Sequence, residues 1–526
     1  MISAPRGNIT IDGQVISLRS LPDPGFAGGV QTGILTSTTA VNANGSIFVN
    51  GRRTAYSRDL SRRGLPILET LSDPGAIDLE AGSVVAMLPD ILPPAEQQRS
   101  GDAMLAVQPT LPSDPVSAAQ FRRPVARLQF RDPAVIELGA FPAGPDPYGK
   151  ITLGEQALIV APSASVSLSN SRLATDPETG LLSGTDQPPN ILMRAGAEID
   201  VSGIMDVVLP MSSNAVRIAR VGNADLADTP LQRNGFLFGR EIIVDRRLSG
   251  TRADGSRWVG SPLLNAQGYV DSFGRTVSEL LTPGGSIAFK GVSRVESGAA
   301  LNIAGGYVRY LGGSVPTSWL RSADGKSVVD ISRADPNTTY ASFADEFIVR
   351  NKRFGTITVY PTFYASRRAA FESSYIDGSD AGALSFEGAA VINGTLSAGV
   401  VSGSLQRAGS GRTASRPARG GVLDLGGLTG RSQFTLYTPA GGRGLSPSSY
   451  AAQFWSTRTI EDAGFADVVL GAAGSRIRVE DDAVLTLPDG GAITLRGDRI
   501  DIGGRIIAHA GSITLALSAF DPSDTN

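Results

Sequence analysis

The chain has 526 residues, of which 41% are apolar and 18% charged, and its formal net charge is −3. It is too apolar to be disordered, and without an excess of Lys and Arg it lacks the basic balance typical of nucleic-acid-binding proteins. The lack of cysteine and the single histidine, His509, exclude the usual zinc sites and cysteine-based catalysis, and no apolar run is long enough to predict a transmembrane helix.

Residues 1–88 alternate apolar and polar residues in short runs, which predicts half-buried β-strands arranged as coils of a repeat. Two of these runs open on glycine, at Gly7-Asn-Ile-Thr-Ile and at Gly45-Ser-Ile-Phe-Val. Residues 89–148 are rich in proline instead. Because proline removes sheet hydrogen bonds, we expect this range to leave the coils as an excursion.

Coils are predicted again in residues 149–205, 284–306 and 381–526. Between them, residues 206–283 are predicted to form a second excursion, and residues 307–380 an aromatic-rich insertion with one short helix at Ala365–Ser373. Within the last range, residues 403–420 are polar and rich in glycine, so we expect a mobile loop there.

One five-residue phrase recurs along the chain: glycine, a small or polar residue, an aliphatic residue, a variable residue, and an aliphatic or aromatic residue. Two late copies, at Gly491 and Gly511, stand twenty residues apart. The nine copies begin at Gly7, Gly45, Gly149, Gly285, Gly355, Gly382, Gly421, Gly491 and Gly511. Short strands with glycine corners and a regular return predict an all-β, right-handed parallel β-helix with long loop insertions. We expect about 12–16 coils in a rod about 60–75 Å long. An ordinary sandwich or barrel with similar hairpins is the alternative.

Three features together resemble the filamentous haemagglutinin family, the secreted passenger proteins of two-partner secretion systems in Gram-negative bacteria. They are the segment from Gly490 to Leu515, the pairing of residues 297–313 with residues 325–340, and the absence of cysteine. The resemblance implies a right-handed parallel β-helix, export through an outer-membrane transporter, and a secreted or cell-surface protein that attaches to receptors or glycans on host or bacterial surfaces. The secretion domain of the family is not visible in the sequence, so we expect a segment of a longer protein.

One tripeptide has the sequence of an integrin-binding motif: Arg496-Gly497-Asp498. In host-binding adhesins such a tripeptide can engage integrins. The alternative is that Gly497 forms a corner between two strands, with Arg496 and Asp498 as ordinary polar flanks.

The β-helix also occurs in polysaccharide lyases and glycosidases, which use paired carboxylates in a groove. Asp481, Asp482, Asp498 and Asp501 could project from successive coils, although no aromatic residues that would support a sugar accompany them. We therefore predict an adhesin segment acting as a stalk and attachment surface, with no catalytic residues, cofactor or metal. The alternatives are a carbohydrate-active β-helix enzyme and a passenger that delivers a toxin domain.

Overall fold

Three stacks of parallel strands dominate the computed structural model of the chain. The residues that the structure describes are 1–13, 15–19, 21–22, 30–31, 33–40, 44–51, 75–90, 134–140, 149–170, 190–271, 273–351, 353–361, 369–388, 390–407, 416–427, 433–439 and 452–517. The chain passes through sheets A, B and C in turn, and each pass is called a rung.

Sheet B is the longest sheet in the described residues and contains ten strands. They are Asn8–Gly13, Ser46–Gly51, Val135–Ala140, Ser165–Asn170, Ser286–Lys290, Ala383–Glu387, Gly421–Gly427, Phe465–Leu470, Ala492–Gly497 and Ser512–Leu517. Sheet A contains Ile2–Ala4, Ile34–Thr39, Val84–Pro89, Leu158–Val160, Glu198–Asp200, Ala300–Asn302 and Thr395–Ser397. Sheet C contains Val15–Leu18, Ala76–Leu79, Lys150–Leu153, Ile191–Met193, Ser293–Val295 and Ala390–Ile392.

Two smaller parallel sheets belong to the last rungs. One contains Ala452–Ser456, Gln433–Tyr437, Arg476–Val479 and Arg499–Ile502 in that spatial order, and the other pairs Val484–Leu487 with Arg505–Ala508. All of these stacks are parallel, so the prediction of a parallel β-solenoid is confirmed and the sandwich or barrel is wrong. The expected 12–16 coils were too many for the described part of the chain. The ten stacked strands of sheet B span about 43 Å at the usual spacing. The number of rungs is smaller than expected because the insertions take up much of the sequence.

The strands stack in register, which places like residues above one another inside the solenoid. In sheet B the inner positions form two columns of aliphatic and aromatic side chains. Pairings run from Ile9 through Ile47, Ile136, Val166, Ile287, Leu384, Leu423, Val468 and Ile493 to Ile513. From Ile47 to Ile493 every member of this column is buried. Each rung therefore completes the core of the rung before it, as a solenoid requires.

The glycine phrase marks one particular corner of the solenoid. Seven of its nine copies open a strand of sheet B; Gly149 opens a strand of sheet C, and Gly355 precedes a strand of an antiparallel hairpin. At Gly382 a Cβ atom would lie 1.6 Å from the carbonyl oxygen of Gly285 in the neighbouring rung. Glycine is thus needed here because two rung backbones pass too close for a side chain.

The turn from sheet C to sheet A also repeats from rung to rung. Its third residue has a positive φ angle at Gly82, Gln156, Gly196 and Gly298. Backbone hydrogen bonds join these turns, from Gly82 N to Glu155 O at 3.0 Å and from Gly196 N to Gly298 O at 3.0 Å. The turns are therefore joined in pairs along one edge of the solenoid.

A helix replaces a strand in one rung. Helix Thr457–Ala463 packs between strand Thr395–Ser397 and strand Val484–Leu487, and its Ile460 is fully buried in the solenoid core. The Ser456 hydroxyl caps its first turn, and Gly464 ends it in the left-handed conformation. The core column continues through the helix although the sheet does not.

The insertions 206–283 and 307–380 fold together into one body, here called the side module. The first contributes strands Val207–Pro210, Ala215–Ile218, Ile242–Asp245, Ser249–Thr251 and Arg257–Val259, helices Pro230–Arg233, Gln267–Asp271 and Val277–Leu280, and the 3-10 turn Met211–Asn214. The second contributes strands Tyr307–Leu311, Gly313–Ser314, Trp319–Ser322, Val328–Asp330, Tyr340–Phe343, Glu346–Asn351, Thr356–Pro361, Phe371–Glu372 and Tyr375–Gly378, and the 3-10 turn Ile331–Arg333. A separate two-stranded hairpin joins Leu21–Pro22 to Val30–Gln31.

The two insertions meet because they leave the solenoid at the same corner of consecutive rungs. Each departs after a strand of sheet A and returns into sheet B. Their chains interleave in a neck, where Ile204 N donates to Leu281 O at 2.8 Å, Gly306 N to Thr282 O at 2.8 Å, and Ser379 N to Gly306 O at 2.9 Å. Beyond the neck they share a hydrophobic core that includes Val216, Ile242, Leu320, Ile331 and Tyr340.

Several predicted ranges take specific forms in the structure. Within 89–148, Val135–Ala140 is a strand of sheet B, while 91–133 and 141–148 lie outside the described residues. The helix expected at Ala365–Ser373 is wrong where the structure describes it, because Phe371–Glu372 is a strand paired with Gly313–Ser314. Of the predicted loop 403–420, residues 408–415 lie outside the described part, and Gln406 bonds both backbone polar groups of Gly378.

Candidate functional site on the side module

An arginine with only 11% of its side chain exposed joins the two insertions inside the side module. Arg247 follows strand Ile242–Asp245, and its guanidinium donates to Asp245 Oδ2 at 2.7 Å and to Glu372 Oε2 at 2.8 Å. Burial by itself would lower the pKa of Arg247, but the hydrogen bonds to Asp245 and Glu372 outweigh it and the pKa rises. The side chain is therefore a permanent cation shared between a carboxylate of each insertion.

Two stacked tyrosines lie beside this ion pair. The rings of Tyr310 and Tyr375 are 4.7 Å apart between centroids. Arg246 Nη2 donates to the Tyr310 hydroxyl at 2.6 Å, and Asn214 Nδ2 donates to the Tyr375 hydroxyl at 3.1 Å. Burial raises the pKa of Tyr375 to about 12, so the hydroxyl stays protonated near neutral pH. Its environment does not suit proton transfer at that pH.

A third contact between the insertions lies nearer the surface. Phe236 and Phe343 meet edge to face at 4.9 Å, and the Arg240 guanidinium lies 4.9 Å from the first ring and 5.3 Å from the second. Arg240 also pairs with Glu346. Aromatic and cation–π contacts of this kind hold surfaces together without reactive groups.

These contacts join the two insertions at three places in the side module. The sequence indicated its aromatic character, since aromatic residues concentrate from Tyr307 to Tyr375, but not the roles of Arg246 and Arg247. Arg246 bonds Tyr310, which lies 64 residues away in sequence, and Arg247 bonds Glu372, which lies 125 residues away. Among the described residues, no group of three or more His, Cys, Asp and Glu side chains is arranged to hold a metal ion.

The integrin-type tripeptide lies on the solenoid instead. Arg496 and Gly497 end strand Ala492–Gly497, and Asp498 begins the corner that follows. Arg496 is exposed and Gly497 is buried. Asp498 Oδ1 accepts a hydrogen bond from Gly474 N at 2.9 Å, and Asp498 N donates to Ser475 O at 2.8 Å. Asp498 therefore fastens one rung to the turn of the rung before.

The four acidic residues considered for catalysis are all exposed: Asp481, Asp482, Asp498 and Asp501. Asp501 accepts from Arg499 Nε at 2.8 Å in its own strand, and Asp498 bonds the Gly474 backbone. Asp481 lies against the corner at Gly503, where an added Cβ would meet its Oδ1 at 2.0 Å. Two of the four thus have local structural partners in the solenoid.

Comparisons with known proteins add no relative to this description. A scan against protein-family models found no match, and searches of curated protein sequences and of solved structures found none either. In the part of the chain that the structure covers, no helix has the length and apolar character needed to cross a bilayer.

Proposed function

We propose that the chain is a segment of a secreted bacterial surface adhesin of the filamentous haemagglutinin type, without catalytic activity. The solenoid serves as the stalk and the side module as the attachment head. An outer-membrane two-partner-secretion transporter exports it, and receptors or glycans on a host or bacterial surface are its ligands. The observation that carries the proposal is the side module, a separately packed body mounted on one corner of a stack of parallel rungs.

The physical properties of the two parts support this division of roles. The solenoid core is continuous from rung to rung, so a load on one end is passed along the backbone hydrogen bonds of every sheet. The side module is fixed at its neck by hydrogen bonds from Ile204 and Gly306 and inside by the Arg247 ion pairs. A body held in this way displays its surface at a defined position, which suits attachment through several weak contacts.

The test removes the head and keeps the stalk. The tight corner Ala161-Pro-Ser-Ala164 links sheet A to sheet B in the rung before the first insertion and provides a native template for the join. In the variant, Ala-Pro-Ser-Ala replaces the whole stretch between the flanking strands of sheets A and B, residues 201–285 and residues 303–382. We expect it to keep its β-type circular dichroism and to lose binding of chain-coated beads to epithelial cells or bacteria.

Two outcomes would contradict the proposal. The first is full attachment by the variant without the side module, which would place the binding surface elsewhere. The second is release of oligosaccharides from a polysaccharide mixture by the full chain, abolished by Asp498→Asn or Asp501→Asn. That result would favour the carbohydrate-active enzyme.

A further inference from the structure

A long segment of the side module is basic and aromatic in a chain that is acidic as a whole. Residues 347–371 contain no Asp or Glu. They contain five basic residues, Arg350, Lys352, Arg353, Arg367 and Arg368, and six aromatic ones, Phe347, Phe354, Tyr360, Phe363, Tyr364 and Phe371. The net charge of the whole chain is −3, so this stretch of sequence is more basic than the chain as a whole.

The first half of the segment forms a β-hairpin of the side module. Strands Glu346–Asn351 and Thr356–Pro361 pair antiparallel, and Asn351 opposite Thr356 closes the ladder before the tip. At the tip, 70% of the surface of Phe354 is exposed. Apart from its two chain neighbours, no atom of the described residues lies within 4 Å of where a Cβ on Gly355 would stand. The hairpin tip therefore presents an aromatic ring to open space.

A basic residue accompanies the exposed ring. The guanidinium of Arg353 lies 5.8 Å from the centre of the Phe354 ring, and both side chains are exposed. An exposed phenylalanine is unfavourable in water, whereas at a membrane surface its ring enters the boundary of the acyl chains. Arginine beside it gains from the negative surface potential of anionic lipids.

From this arrangement we propose that the hairpin tip, Arg353 to Gly355, docks the side module onto an anionic lipid bilayer. The proposal rests on the attachment role proposed above and names the chemistry of one target surface. A bilayer is favoured over an acidic polysaccharide, because the exposed ring of Phe354 lies at a hairpin tip, from which it can enter the boundary of the acyl chains. The ring and the charge together match an interface that is apolar inside and anionic outside.

The experiment is cosedimentation of the full chain with vesicles of phosphatidylcholine containing 30% phosphatidylglycerol, and with vesicles of phosphatidylcholine alone. We expect binding to the anionic vesicles only, weakened by salt. The double variant Arg353→Glu, Phe354→Ser should bind about fivefold more weakly or worse, since each basic residue and the ring contribute separately. Its circular dichroism should be unchanged, because both side chains are exposed.

Matched controls lie elsewhere on the same module. Arg333 and Phe238 are exposed there as well, so Arg333→Glu, Phe238→Ser makes the same chemical change away from the tip and should bind as the unmodified chain does. A second readout is Phe354→Trp, whose emission should shift to shorter wavelength with anionic vesicles, whereas Phe238→Trp should show no shift.

Equal vesicle binding by the tip variant and the control variant would overturn the proposal. So would binding to dextran sulfate beads without binding to vesicles, which would assign the tip to an acidic polysaccharide. Vesicle binding uses purified lipid, so its failure leaves the cell-attachment result of the excision variant standing. If the variant without the side module loses cell attachment, and the full chain binds anionic vesicles through the tip, the attachment role and the lipid docking are both supported.

Discussion

Phe289 and Phe386 stack face to face in consecutive rungs, with ring centroids 4.8 Å apart and ring planes inclined by 7°. Their separation equals the usual distance between neighbouring strands. Because both residues occupy the second inner column of sheet B and are fully buried, the register of the backbone alone brings the rings together. The pair shows how each column of the solenoid core takes one residue from every rung.

Replacing one ring of this stack should strongly destabilise the solenoid. Phe386→Ala leaves a cavity against Phe289 and should lower the free energy of unfolding by about 3–5 kcal/mol. Phe386→Leu should cost less than Phe386→Ala, because leucine fills part of the space of the ring. Urea titration followed by circular dichroism measures both. Phe48 lies in the same sheet but is only partly buried, so Phe48→Ala is the control, and an equal loss there would contradict the role of the stack.

Much of the solenoid was predictable from residues whose environment is local. Gly382 and Gly491 open strands of sheet B as the glycine phrase predicted, because the short distance between rungs recurs at every turn and acts on each copy alike. The phrase at Gly355 misled, since it precedes a strand of an antiparallel hairpin. One copy of the glycine phrase predicts only that a strand follows the glycine, and it does not indicate which strand will pair with it.

The side module was not predictable in the same way. Arg247 and Glu372 form their ion pair across 125 residues of sequence, and nothing local to either residue indicates the other. The insertions meet because both leave the same corner of consecutive rungs. To predict this meeting, each strand from Glu198–Asp200 to Ala383–Glu387 would first have to be assigned to its rung and sheet. The helix at Thr457–Ala463 was missed because it fills a strand position in the core.

Gln156 occupies a backbone conformation that favours glycine. Its φ angle is +57°, and the same turn position holds Gly196 in the next rung. A residue with a Cβ is strained there by about 1–2 kcal/mol. Glycine removes this strain, but the greater conformational freedom of glycine in the unfolded chain offsets part of the gain. Gln156→Gly should therefore raise the free energy of unfolding by about 0.5–1 kcal/mol. Gly196→Ala is the reciprocal variant and should lower the free energy of unfolding, and a loss of stability in both variants would contradict the backbone strain at Gln156.

The Arg247 ion pairs should control the stability of the side module. Arg247→Met leaves the buried Asp245 carboxylate without its cation, which should cost about 3–5 kcal/mol. Trp258 and Trp319 lie in the module and Trp455 in the solenoid core. In a Trp455→Phe background, tryptophan fluorescence should therefore report unfolding of the module at lower urea while the circular dichroism of the solenoid persists. Arg217→Met is the control, because the Arg217–Glu241 pair is exposed and should matter little. A single transition, shifted equally for both signals, would show that module and solenoid unfold as one unit.

Stability should also depend on the protonation of Glu198. Burial and the neighbouring Asp200 raise the pKa of Glu198 above its ordinary value. Since the folded pKa exceeds the unfolded one, stability falls as pH rises between the two values and stays lower above them. Glu198→Gln should therefore raise the melting temperature at pH 7 and leave it nearly unchanged at pH 3, where the glutamate is protonated in both states. An equal gain at both pH values would assign the effect to packing.

Asp498 is predicted to act in the solenoid rather than in receptor binding. Its carboxylate already accepts the Gly474 amide, and a Cβ on Gly497 would stand 2.5 Å from Ser475 O, so the tripeptide is held extended against the preceding rung. Asp498→Ala should lower the free energy of unfolding by about 1 kcal/mol, and Arg496→Ala should change it little. Cell attachment should be unaffected by Arg496→Ala and by Asp498→Glu. If a soluble Arg-Gly-Asp peptide reduced cell attachment of the unmodified chain, and the Arg496→Ala chain attached less and was insensitive to the peptide, the prediction would be wrong. That result would show that integrins bind this corner through Arg496.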